Sequence, residues 1–274
     1  MSDHKTAMET LEAKGLSDIA AELKKYYRNA IGCFTKEYRG DVPIGASKMG
    51  GFPDLPPNME YPVMSGYTMK WLKGQNAGTT ERYEESAMQI VAQINLYEVA
   101  ESGADAEKLL PERGMLYIFW SGEISPLESG DWTEYTVDNP ENSDYFKIIW
   151  WDGDMSKLKR TFPPCGYYTK YFEECLPERG IEFDSMDEYD QSAVDEIDDL
   201  EETLEMDSYD FSEGCDKLFG FPKGGNAPEV YEDTVNLFQF DYHDGCLWAA
   251  YWLMNKEDLL NRDFSKVSFD YDLD

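Results

Sequence analysis

The chain predicts an α+β fold dominated by antiparallel β-sheet, internally duplicated, with N-terminal helices and an acidic helical insertion. Three observations carry that expectation. First, a Gly-Phe-Pro knot, a strand with Gln two residues before an acid or amide, and a Gly-led apolar strand recur in the same order. They read GGFPDLP (Gly50 to Pro56), AQINL (Ala92 to Leu96) and GMLYIFW (Gly114 to Trp120), then LFGFP (Leu218 to Pro222), FQFDY (Phe238 to Tyr242) and GCLWAAYWL (Gly245 to Leu253). Landmarks repeated in order read as a duplicated supersecondary unit. Second, the body of the chain alternates with the period of two that a strand requires. Third, helical periodicity is confined to the N-terminus and to one acid-rich stretch.

In chain order, Met8 and Leu11 predict a short helix that stops at Gly15, and Ser17 is placed to cap a second helix through Ile19, Leu23, Tyr26 and Tyr27 to about Ala30. Gly50 and Gly51 admit backbone conformations barred to other residues, and Pro53 and Pro56 stiffen the exit, so GGFPDLP predicts a rigid turn burying Phe52 and Leu55. Ala87 to Leu96 alternates apolar Met88, Ile90, Ala92, Ile94 and Leu96 with Gln89, Val91, Gln93 and Asn95. Met115 to Trp120, Phe146 to Trp151, Val235 to Tyr242 and Cys246 to Leu253 are further strands, the last two joined by a tight hairpin at His243-Asp244-Gly245. Gly74 to Thr80, Ser121 to Asn142 and Pro163-Pro164 read as loops. From Glu173 to Glu213 there are 18 acidic residues against the single Arg179. Ala193, Ile197, Leu200 and Leu204 still form a helical stripe there, which predicts an acidic amphipathic helix from about Glu188 to Met206. The expected organisation is a single domain over residues 1–274, with repeats at about 45–120 and 216–253 and an insertion at about 173–213 that is separable from the fold.

Charge narrows the function classes. The 274 residues carry 56 acids against 24 bases, a formal net charge of −32. Such a field repels phosphate backbones and anionic lipids, so neither nucleic acid nor membrane is an expected partner. A basic protein is, and the acid-rich stretch offers it a docking face. No apolar run approaches the roughly 20 residues of a bilayer span, and the first residues lack a secretory core, so a cytoplasmic location is expected. Five widely spaced cysteines and only His4 and His243 supply neither a disulfide framework nor a Cys/His zinc site. The sequence calls for no cofactor, no metal and no catalytic residue. GxSxG, HExxH and phosphate-loop spacings are missing, and His243 beside Asp241 and Asp244 reads as a turn histidine.

GASKMGGFPDLPPNMEYP (Gly45 to Pro62), QIVAQINL (Gln89 to Leu96), LPERGMLYIFW (Leu110 to Trp120) and KEDLLNRDFSKV (Lys256 to Val267) together resemble the YwqG-like family of bacterial proteins, over about residues 16–272. The resemblance implies a duplicated α+β fold with mixed or antiparallel sheets. It transfers no catalytic residue, since the family has no assigned function. This chain departs from the pattern at Tyr61, where the family often has Trp, in FQFD of the second copy, and in the length of its acidic stretch.

The shared motif nominates candidate ligand-binding residues. Gln93 with Asn95, and Gln239 with Asp241, share one strand face in each copy. Either each glutamine bridges main-chain groups of the repeated turn, or the pairs floor a ligand cleft between the copies, with Lys48 or Arg262 supplying charge. Two functions follow: a non-enzymatic binding or adaptor protein engaging a basic partner through its acidic surface, or an enzyme or small-ligand receptor using that cleft.

Overall fold

A computed structural model describes residues 11–122, 133–164, 176–190, 216–222, 228, 233–244 and 247–273. Helix α1 (Ser17–Leu23) leads through a single 3₁₀ turn into β1 (Tyr27–Lys36). There follow β2 (Lys48–Met49), β3 (Asp54–Leu55), β4 (Val63–Met64), β5 (Tyr67–Trp71), β6 (Thr80–Tyr83), β7 (Ser86–Ala87) and β8 (Gln89–Asn95), then helix α2 (Leu96–Ser102). Next come β9 (Met115–Trp120), β10 (Thr133–Val137), β11 (Phe146–Trp151), β12 (Lys159–Arg160) and β13 (Arg179–Tyr189). The chain ends with β14 (Lys217–Phe219), β15 (Thr234–Asp244), β16 (Leu247–Asn255), helix α3 (Lys256–Leu260) and β17 (Ser268–Leu273). Strands outweigh short helices throughout, an α+β fold of mainly antiparallel sheet.

The chain divides into two compact units. Unit 2 comprises residues 35–98 and 112–182. Its main ladder runs β11-β9-β8-β2-β13, each neighbouring pair antiparallel, with Lys48 opposite Gln93 and Gln93 opposite Tyr117. The small sheets β10-β5-β6, β12-β3 and β4-β7 belong to the same unit. Leu55, Met64, Tyr67, Met88, Ile90, Tyr117, Phe119 and Leu158 form its core. Both faces of β8 are covered, so Gln89, Val91 and Gln93 are buried along with Ile90, Ala92 and Ile94, and the polar side of the alternation does not meet solvent. Unit 1 comprises residues 1–34, 99–111 and 183–274. Its strands are ordered β13-β1-β14-β15-β16-β17, with Lys217 opposite Gln239 and Gln239 opposite Tyr251. Leu23, Ile31, Leu218, Leu237, Phe238, Trp252 and Leu259 are buried in it.

The structure departs from the sequence expectations at several elements. The second helix stops at Leu23 and does not reach Ala30, because Ala30 to Cys33 are drawn into β1 as fully buried sheet. Ser17 is the first helical residue, and Leu16 holds the cap position without a side-chain hydrogen bond. Gly15, at φ +76, does terminate the preceding helical turn; Met8 lies outside the described residues. The span 121–142 is not all loop, since Thr133–Val137 pairs with β5. The acid-rich stretch contains β13, in which Ile181, Glu188 and Tyr189 are buried, so residues 179–189 are integral sheet and Glu188 does not begin a helix. The predicted helix beyond residue 190, and the hairpin residues 245–246, lie outside the described residues.

Candidate functional site

The repeated Gly-Phe-Pro turn is held in unit 2 by a buried polar network. Gly50 and Gly51 adopt φ +60 and +67, the left-handed region. A Cβ on Gly51 would sit 2.6 Å from Glu178 Oε2, so the carboxylate occupies the space a side chain would take. Folding back this sharply aims the Phe52 carbonyl at Lys48, whose Nζ donates to it and to Glu178 Oε2 at 2.8 Å. The Lys48 side chain is 0% exposed. Burial, the largest influence, lowers the Lys48 ammonium below its ordinary range, against the opposing pull of Glu178 and Asp54.

Arg160 completes the cluster. Its Nε donates to Asp54 Oδ1 at 2.7 Å, Nη1 to Glu178 Oε2 at 3.0 Å and Nη2 to the Val42 carbonyl at 2.9 Å. Burial opposes its charge, but the Asp54 bond and the fields of Asp54, Glu178 and Asp41 outweigh that, and its pKa is raised. Asp54 Oδ2 accepts from the Gly45 amide at 3.0 Å and from Gln93 Nε2 at 2.9 Å. Two cations therefore face two carboxylates, the arrangement that makes burial of charge tolerable.

Gln93 locks the turn to the sheet. Its Oε1 accepts from the Asp54 amide at 2.7 Å, and its Nε2 donates to the Ala46 carbonyl at 2.9 Å. Tyr117 Oη donates to the Asp54 carbonyl at 2.6 Å, and burial followed by the Asp54 charge pushes its phenol pKa up. Asn95 Nδ2 donates to the Gly45 carbonyl at 2.8 Å, while its amide donates to Ser47 Oγ at 2.9 Å.

Unit 1 contains a second lysine turn with matching bonds. Lys217 Nζ donates to Glu188 Oε1 at 2.6 Å and to the Phe221 carbonyl at 2.8 Å, and Glu188 Oε2 accepts from the Phe221 amide at 2.7 Å. Both side chains are within 1% of complete burial. Gly220, at φ +69, has Glu188 Oε2 2.1 Å from the position of a Cβ, as Gly51 has Glu178. Gln239 is buried opposite Lys217, and the Asp241 amide donates to Asp216 Oδ1 at 2.9 Å. Arg262 stands apart from this turn: its Nη1 donates to the Leu109 carbonyl at 2.5 Å and to the Leu259 carbonyl at 3.2 Å.

The structure thus brings Lys48, Gln93 and Asn95 together around one turn of unit 2, and places Gln239, Asp241 and Arg262 in unit 1. Sequence reasoning missed Asp54, Arg160, Glu178, Glu188 and Lys217 as members of these networks. Lys217 had a signal: it precedes Gly220-Phe221-Pro222 by the spacing at which Lys48 precedes Gly51-Phe52-Pro53. Glu178 and Glu188 had none, since they are 130 and 29 residues from the lysines they meet.

Among the described residues no group of His, Cys, Asp and Glu is arranged to hold a metal ion, and no helix is long and apolar enough to cross a membrane. A family model described as "Domain of unknown function (DUF1963)" matches residues 47–272, from the first lysine turn to the last strand. The chain belongs to that family. No curated protein matches the chain significantly.

Proposed function

We propose that this is a non-enzymatic cytoplasmic binding or adaptor protein, of the YwqG-like kind, that engages a basic protein partner through its acidic surface. The observation carrying the reading is the excess of 56 acids over 24 bases. The polar groups that a catalytic or ligand-binding reading would recruit, Lys48, Gln93 and Gln239, are all buried, and the bonds of Lys48 and Gln93 go to the turn's own main chain and carboxylates. The test is capture from native cells at increasing salt. A single basic protein, retained in fixed stoichiometry near physiological ionic strength and released as salt shortens the Debye length from about 8 Å toward 3 Å, agrees with the proposal. A partner that is acidic, or that stays bound regardless of salt, contradicts it.

We infer as well that the two lysine turns descend from one duplicated unit. Supporting this are the common Lys-x-x-Gly-Phe-Pro spacing, the lysine-to-carbonyl and lysine-to-glutamate bonds in each copy, and the glutamine opposite each lysine. A second functional reading, a small-ligand receptor, has one specific observation in its favour, a cavity within unit 1.

A further inference from the structure

In so acidic a chain, a cavity where cations outnumber acids stands out. A cavity of about 540 Å³ in unit 1 is lined in part by Lys25, Arg28, Lys256, Phe219, Phe221 and Asn236, with Glu107 and Asp190 also present.

Its cations divide into two kinds. Lys25 and Lys256 are 62% and 42% exposed, and the carboxylates they meet, Glu22 and Glu107, are themselves exposed. Exposed pairs of this kind are weakly held, so an incoming anion can compete for both ammonium groups. Arg28 is fixed: its Nη1 donates to the Thr234 carbonyl at 3.0 Å and its guanidinium lies 4.8 Å from the Phe221 ring centroid. The planar cation on an aromatic face makes a platform of the sort on which nucleobases stack.

Two further observations point to an occupant. Asn236 is 0% exposed; its Nδ2 donates to the Phe219 carbonyl at 3.4 Å, but its Oδ1 meets no donor among the described residues. A buried acceptor without a donor is rare in a native fold and marks a place for one. Phe219 itself sits at φ +64, where the other lysine turn carries Gly50 at φ +60. A bulky residue held in a conformation that favours glycine, on a cavity wall, fits the clustering of backbone strain at binding sites.

We propose that this cavity binds a nucleoside monophosphate whose base carries an exocyclic amine. The phosphate lies at Lys25 and Lys256, the base stacks at the Arg28–Phe221 platform, and the amine donates to Asn236 Oδ1, one of the two bonds by which asparagine reads adenine, Nδ2 being engaged by the Phe219 carbonyl. Glu107 and Asp190, in the lining itself, disfavour more highly charged nucleotides. The rim lysines act within a Debye length of about 8 Å, where the remote acids are screened. This proposal is independent of the acidic-surface reading.

The experiment is calorimetric titration of the full chain with AMP, adenosine, inorganic phosphate and IMP, each alone. AMP is expected to bind at least about tenfold tighter than adenosine, phosphate or IMP, the last presenting a carbonyl where AMP has its amine. The double variant Lys25→Ala/Lys256→Ala should weaken AMP about tenfold or more and leave adenosine unchanged. Asn236→Ala should abolish the preference for AMP over IMP and leave phosphate binding unchanged. If that variant melts below the assay temperature, the lysine variant and the AMP-to-IMP ratio in the wild type decide the matter. No heat from AMP at millimolar concentration, AMP binding no tighter than phosphate or adenosine, or equal affinity for AMP and IMP would each overturn the proposal.

Discussion

Replacing Glu188 by Ala should be among the most damaging single changes in unit 1. Lys217 and Glu188 are 0% and 1% exposed and meet at 2.6 Å, so neither charge has water to fall back on. Removing one partner of such a pair leaves an uncompensated buried charge, a loss of about 3–5 kcal/mol. The Phe221 amide, which donates to Glu188 Oε2 at 2.7 Å, would lose its acceptor too, adding about 1 kcal/mol or more. Against a typical total of about 5–15 kcal/mol, the variant should be largely unfolded at temperatures the wild type withstands. Urea denaturation of the single variants and of Lys217→Met/Glu188→Gln completes the test. The double variant buries no charge, and its glutamine oxygen still accepts from the Phe221 amide, so it should recover at least about 2 kcal/mol relative to the sum of its single changes. Lys147→Ala, at a solvent-exposed pair with Asp144, should cost under about 1 kcal/mol. A Glu188→Ala variant within about 1 kcal/mol of wild type, or single changes that add without coupling, would refute the argument.

Other expectations follow from the same networks. Gly51→Val should lower stability by more than about 1 kcal/mol, since φ +67 is strained for valine and its Cβ meets the Glu178 carboxylate; an unchanged melting temperature would remove the requirement. Burial, the largest influence in each case, raises the phenols of Tyr117, Tyr189 and Tyr251 and takes Tyr27 to about 12. In the unfolded chain these phenols ionise near 10, so their contribution to stability is complete below pH 10 and is lost as pH rises through the folded values. An alkaline absorbance titration should therefore show a late tyrosine fraction that ionises together with loss of the circular dichroism signal, and complete ionisation in a still-folded protein would contradict this. Replacing residues 184–212 with a Gly-Ser linker deletes Glu188 and most of β13 from unit 1, so it should abolish cooperative melting, whereas a deletion beginning after residue 190 should not; equal behaviour of the two would show that β13 is dispensable.

What was legible in the sequence was whatever depends on neighbours along the chain. Met115–Trp120 and Phe146–Trp151 emerge with the bounds their apolar runs predict, and Gly50 and Gly51 take the backbone conformation that only their lack of a side chain makes easy. The helix predicted to reach Ala30 illustrates the opposite case. Ile19, Leu23 and Tyr26 keep a helical period, but the pairing of Ala30 with Phe219 across β14 recruits the following residues into sheet, an outcome decided by a strand nearly two hundred residues away. Charge misled for a related reason. Glu188 sits in an acid-rich run that reads as solvated, and only its three-dimensional neighbour Lys217 makes its burial possible. The glutamines were legible as repeated polar positions, and the main-chain groups that Gln93 joins became visible only when the turn folded back onto its strand.

The central claim is that the motif lysines serve the fold and that binding takes place elsewhere on the surface. Amine labelling of the native chain, read residue by residue by mass spectrometry, tests it directly. Lys48 and Lys217, at 0% exposure, should remain unlabelled while exposed Lys25, Lys70 and Lys157 react, and should become reactive only on unfolding. Labelling of Lys48 at the rate of an exposed lysine would place that residue in an open cleft and restore the enzyme or receptor reading of the motif.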